Sequence, residues 1–95
     1  MAIRPSKTDT TSVLTSDAAV KAGPGLVFWI AASAGATGGA FQISDALDDS
    51  NDIFSAVMPA TSVVFFGPFD PPIVCATGIY ADIPGTNVTL TVGYQ

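Results

Sequence analysis

Residues 26–33 read Leu26-Val27-Phe28-Trp29-Ile30-Ala31-Ala32-Ser33, an uncharged run opened by Gly23-Pro24-Gly25 and closed by Gly35-Ala36-Thr37-Gly38-Gly39. The dense apolar part is too short to cross a bilayer, and a glycine-rich break in the middle of an uncharged stretch suits lipid poorly. As a strand, the run places Leu26, Phe28 and Ile30 on one side and Val27, Trp29 and Ala31 on the other, so both faces are apolar. In a small domain a strand of that kind is expected to give one face to the core and the other to a partner.

The rest of the chain punctuates itself in the same way. It has no Glu and little Lys, Arg, Leu or Met, which removes most strong helix formers, while Val, Ile, Thr, Phe and Tyr are plentiful between Gly and Pro clusters. Short strands are predicted over Ser12–Thr15, Ala18–Lys21, Leu26–Ser33, Phe41–Asp45, Ile53–Met58 and Ser62–Phe66. Ile73–Ile83 reads as one long strand or a pair bulged around Gly78, and Val88–Tyr94 alternates to the C-terminal end. Phe41 and Ile43 should point inward, and Gly35–Gly39 reads as a hairpin connection. Prolines 68, 71 and 72 keep the segment after Phe66 out of any central ladder. The expectation is an all-β chain: a single small β-sandwich, jelly-roll-like or immunoglobulin-like, of roughly seven or eight short strands. Residues 1–12, polar and Ser/Thr-rich, read as an extended N-terminal arm ahead of a sandwich domain over 13–95.

Composition narrows the function. The chain is 48% hydrophobic and only 12% charged over 95 residues, more apolar side chain than a monomer of this size can hide. The surplus points to a subunit interface. A membrane span is not expected, and neither is a cleaved leader, because Thr8–Ser16 is polar where an apolar stretch should follow Arg4 and Lys7. Eight Asp against three Lys plus Arg give a net charge of −5, which repels nucleic acid. With no His and no Glu, triads of the Ser-His-Asp kind and His-containing zinc sites cannot be built, and no enzymatic activity or cofactor is expected. Cys75, the single cysteine, lies in an apolar run and reads as a small buried hydrophobe.

Three features invite a functional reading. Asp45, Asp48, Asp49 and Asp52, with Asn51, gather hard oxygen ligands, but their spacing matches no EF-hand loop, so a solvated acidic turn outweighs a cation site. Phe65, Phe66 and Phe69 flank Gly67-Pro68 and, with Trp29, could anchor a partner or stack on a sugar; core packing is the commoner fate, for Phe65 in particular. Asn87-Val88-Thr89 has the form of a glycosylation sequon, but Asn87 reads as a turn residue.

The order and spacing of several segments resemble small virion structural proteins of tailed phages, above all capsid decoration (cement) proteins and related head or tail β-modules. These segments are Lys21-Ala22-Gly23-Pro24-Gly25-Leu26, Phe41-Gln42-Ile43-Ser44-Asp45, Phe66-Gly67-Pro68, Gly78-Ile79-Tyr80-Ala81-Asp82, and Gly85-Thr86 leading into Val88-Thr89-Leu90-Thr91-Val92-Gly93-Tyr94. The resemblance implies a β-sandwich protomer made in the host cytoplasm and bound on the capsid exterior. Its partners would be the major capsid protein and other copies of itself, as a trimer or dimer. Ile3 and Arg4 are then expected as latch residues in the arm, and Trp29, Phe66 and Phe69 as interface residues. A small carbohydrate-binding module and a tail or baseplate module remain the alternatives.

Overall fold

The strands pair as one long hairpin folded back over itself. The computed structural model describes residues 9–85 and 87–95. Its strands are β1 (Asp9–Thr10), β2 (Ala18–Lys21), β3 (Gly25–Ala34), β4 (Gly39–Ser44), β5 (Asp52–Met58), β6 (Ser62–Phe66), β7 (Ile73–Cys75), β8 (Ile79–Asp82) and β9 (Val88–Tyr94). First pairs with last and so inward: β1 with β9, β2 with β8, β3 with β6 and β7, and β4 with β5, all antiparallel. Successive pairs fall in alternate sheets. One sheet runs β1-β9-β3-β6, with β7 also on β3, and the other runs β2-β8-β4-β5.

The expected all-β sandwich is therefore present, and this nesting is jelly-roll order. An immunoglobulin-like sandwich would set its first strand beside its second, in sheets ordered ABED and CFG.

β3 is the long central strand. β9 runs along one of its edges, and β6 and β7 divide the other, at Ile30–Ala34 and Gly25–Val27. The register against β9 slips between Val27 and Trp29; on the other edge, the loop between β6 and β7 fills the gap those two strands leave, with the Phe69 N–H donating to the Phe28 carbonyl at 2.7 Å. Gly67 enters that loop at φ +121°, a conformation that L side chains rarely adopt.

Alternation then builds the core. Val27, Ile30 and Ala32 on β3 and Val88, Leu90 and Val92 on β9 face Phe41 and Ile43 on β4 and Ile79 and Ala81 on β8, all buried. Cys75 is buried with them, and burial, helped by the nearby Asp45 charge, pushes its thiol up to about 11. Phe41, Phe54, Phe66 and Phe69 close one flank as an aromatic cluster, with ring centroids 5.6 to 6.1 Å apart.

Several local expectations change. Ser12–Thr15 is not a strand; only Leu14 bridges to Leu90. Ile73–Ile83 divides into β7 and β8, which belong to different sheets, because the chain turns the sandwich corner at Ala76-Thr77-Gly78. Gly35–Gly39 likewise crosses between sheets rather than closing a hairpin. Asn87 holds that crossing, donating from Nδ2 to Thr37 Oγ1 at 2.6 Å and to the Gly38 carbonyl at 2.9 Å. Part of the expected arm belongs to the sheet, since Asp9 and Thr10 pair with Tyr94 and Gly93. Ile3 and Arg4 lie outside the described residues.

Candidate functional site

The two outward faces of the sandwich differ in chemistry. On the β1-β9-β3-β6 sheet, the outward parity of β3 carries Trp29, Ala31 and Ser33. Register sets Ala31 between Phe65 and Thr91, and Ser33 between Val63 and Thr89. Trp29 lies across Gly93, so closely that a Cβ there would collide with the indole. Its ring stacks on Phe65 with centroids 5.7 Å apart and planes 27° from parallel. Beyond the stack, Val13, Ala31, Ser33, Val63, Thr89 and Thr91 line a shallow depression of about 230 Å³ that contains no charged side chain. Its polar groups satisfy each other, with Ser33 Oγ and Thr89 Oγ1 2.6 Å apart. Val63 is 83% exposed and Phe65 55%, so this face offers water a substantial apolar area.

The outer face of the β2-β8-β4-β5 sheet is acidic. Tyr80 sits among Asp17, Asp48, Asp49 and Asp82, and its hydroxyl titrates higher than usual, first through burial and then through those charges. Asp82 is also held above the usual carboxylate range, by burial and by the neighbouring Asp17. Asp17 accepts from the Ile83 N–H at 2.7 Å, which fixes the charge in place beside β8.

The acidic turn proves to be a fastening. Asp45 Oδ1 accepts from the Thr77 and Gly78 N–H groups at 2.7 and 3.3 Å and so ties the β4 end to the β7–β8 corner. Those N–H groups, Thr77 foremost, hold its carboxyl below the usual range. Asp48 caps its own turn through the Ser50 N–H at 3.0 Å, and Asp52 accepts from the buried Ser44 hydroxyl at 2.6 Å. The candidate cation ligands Asp45, Asp48 and Asp52 are thus each committed to a separate bond. Among the described residues no three acidic, His or Cys side chains stand close enough together to hold a metal ion.

Strand parity sorts Trp29, Phe65 and Phe66, and the β6–β7 loop places Phe69. Trp29 is on the outward face, while Phe66 and Phe69 turn inward to the aromatic cluster. Phe65, expected in the core, instead stands exposed beside Trp29. Val13 and Val63, which complete the apolar face, were not singled out from the sequence. The alternation of Val63 and Phe65 against Val64 and Phe66 was the available signal. Comparison with family models, with curated proteins and with solved structures returned no match.

Proposed function

We propose that the chain is a virion structural protein of a tailed phage, a decoration protein that binds the capsid exterior through the uncharged outer face of the β1-β9-β3-β6 sheet. The observation that carries this reading is the division of the surface. Among the described residues, one face exposes Phe65, Val63 and Val13 without a charge, and the opposite face collects Asp17, Asp48, Asp49 and Asp82 around Tyr80. Full burial of a Val or Phe side chain stabilises by about 1.5–3 kcal/mol, so three such groups can offset part of the ordering cost of association. The acidic face then turns outward and discourages further stacking of copies.

A sugar-binding module is less well supported. Trp29 already spends its ring on Gly93 and Phe65, and the rings of Phe66 and Phe69 are turned into the sandwich.

Co-sedimentation of the purified chain with undecorated heads of its own phage tests the reading. Wild type should bind saturably. Val63→Asp and Phe65→Asp should lose about 100-fold or more in affinity, while Asp49→Asn on the far side binds as wild type. Absence of binding by wild type would refute the capsid role, and unchanged binding by both face variants would refute the assignment of the face.

A further inference from the structure

A jelly-roll sandwich has four sheet edges, and three of them here are blunted. β1, of which Asp9–Thr10 is described, carries a charge at Asp9. β6 and β7 share an edge interrupted by the loop containing Pro68, Pro71 and Pro72. β2 is four residues long, shifts register between Ala19 and Lys21, and carries charge at Lys21 with Asp17 just before it. Short strands, prolines, irregular register and charge are the ordinary defences against edge-to-edge pairing.

β5 has almost none of them. It is seven residues long, its ladder with β4 is regular from Met58 to Phe54, and the one register shift falls at its Asp52 end. Within the strand, no charged residue and no proline follows Asp52. Just past β4 the Asp45 N–H donates to the Asn51 carbonyl, so by alternation Gly39, Phe41 and Ile43 turn their main-chain groups to β5 and their partners Met58, Ala56 and Phe54 bond to β4. The N–H and C=O groups of Ser55 and Val57 are left directed at the open side, and among the described residues no hydrogen bond outside the ladder reaches them. Val57 is 80% exposed and Ile53 38% exposed, on the outer face beside that open edge.

We infer that β5 is a self-pairing edge and that its occupant is the β5 strand of a second copy, antiparallel across a two-fold axis at Ser55. The sequence is self-complementary in that register. Ser55 meets Ser55 of the second copy, and Val57 meets Ile53 in both directions, so each exposed apolar side chain is covered by the other. The Ser55 pair exchanges two main-chain hydrogen bonds, and the outward groups of Val57 on either side of it reach toward Ile53 of the second copy, at the register shift, for roughly four in all. Asp52 falls opposite Met58, which keeps the two Asp52 carboxylates far apart, and β4 separates β5 from Asp82 on β8, with Asp17 one strand further out. The four-stranded β2-β8-β4-β5 sheet becomes continuous across the pair, and the apolar face of the other sheet stays free in both copies.

The inference deepens the self-association expected of a decoration protein, but it does not need the capsid. Sedimentation equilibrium and light scattering on the purified full chain test it. Wild type should have the mass of a dimer. Val57→Lys, which places a charge against Ile53 of the second copy, should weaken the dimer by about 100-fold or more. Ser55→Pro removes an N–H that no bond among the described residues uses and should do the same. Both variants should retain a cooperative thermal transition. Ser55→Cys should form an intermolecular disulfide on mild oxidation, since the paired Cα atoms would lie about 5.5 Å apart, and Gln42→Cys on the interior strand β4 should not. A monomeric wild type, or a folded Val57→Lys chain still dimeric at wild-type affinity, would overturn the inference. A monomer that still bound heads would leave the capsid reading standing without it.

Discussion

Replacing Gly93 with alanine probes how the apolar face is assembled, and its sign separates two explanations of the glycine. Gly93 is the last residue but one of β9 and has no left-handed φ, so alanine meets no backbone strain. Judged on chain entropy alone, the change should stabilise by about 0.4–1 kcal/mol. The structure demands the opposite. The new Cβ would occupy the space taken by the Trp29 indole, whose ring must lift away from β9. Lifting it forfeits the stack on Phe65, about 0.5–1.5 kcal/mol, and returns roughly 50 Å² of apolar surface to water, about 1.3 kcal/mol more. After the entropic gain, the net cost is about 1.5 kcal/mol, or roughly 6–12 °C in Tm for a domain of this size.

Trp29 is the only tryptophan, so its fluorescence reports the ring directly. The alanine variant should show red-shifted emission and easier quenching at a temperature where circular dichroism still reports intact strands. A variant at least as stable as wild type, with unshifted emission, would refute the reasoning and leave Gly93 as a residue of no structural consequence.

Two carboxylates should pull the pH dependence of stability in opposite directions. Asp45 titrates below its ordinary 3.8, chiefly through the Thr77 N–H, so its contribution is present above that value and is lost as pH falls through the lower folded one. Asp45→Asn should therefore lower Tm at neutral pH and flatten the acid limb of a Tm–pH series. Asp82 titrates above 3.8, through burial and then Asp17, so whatever it contributes is present below 3.8 and is lost as pH rises through its folded value. Asp82→Asn should raise Tm at neutral pH, and the gain should vanish in melts at about pH 3, where wild type is itself protonated.

Much of the sandwich was legible because alternation is a local property. Val88–Tyr94 and Phe41–Ser44 each present one apolar parity, and those are the residues that fill the core. Alternation fixes which way a side chain points but not which strand lies beside it, so jelly-roll and immunoglobulin orders stayed equally open. The choice rests on contacts remote in sequence, such as Leu14 with Leu90 and Asp9 with Tyr94.

The same limit explains the aromatic misreading. Val63-Val64-Phe65-Phe66 is apolar on both parities, so nothing within it says which phenylalanine goes inside. The decision is made across the sandwich, where Phe41 and Phe54 offer edge-to-face partners to Phe66. The acidic face was invisible for a similar reason: Asp17 and Asp82 become neighbours only because β2 pairs with β8.

Topology also accounts for where the apolar surplus ends up. Between Asp52 and Asp70 the chain carries no charge, and this stretch supplies β5 and β6. In the nested order these strands sit at the ends of their respective sheets, joined by the short turn through Pro59, Ala60 and Thr61. One flank of the sandwich therefore receives Val57, Val63 and Phe65 together, while Asp17, Asp82 and Tyr80 gather on strands at the far side of the acidic sheet. A chain of net charge −5 resists close approach by another copy wherever carboxylates face carboxylates. Repulsion is weakest at the flank where the apolar groups also lie, so the same uncharged stretch supplies the attraction and sets the orientation of approach. Scattering those charges evenly over the surface would keep the composition and lose the direction.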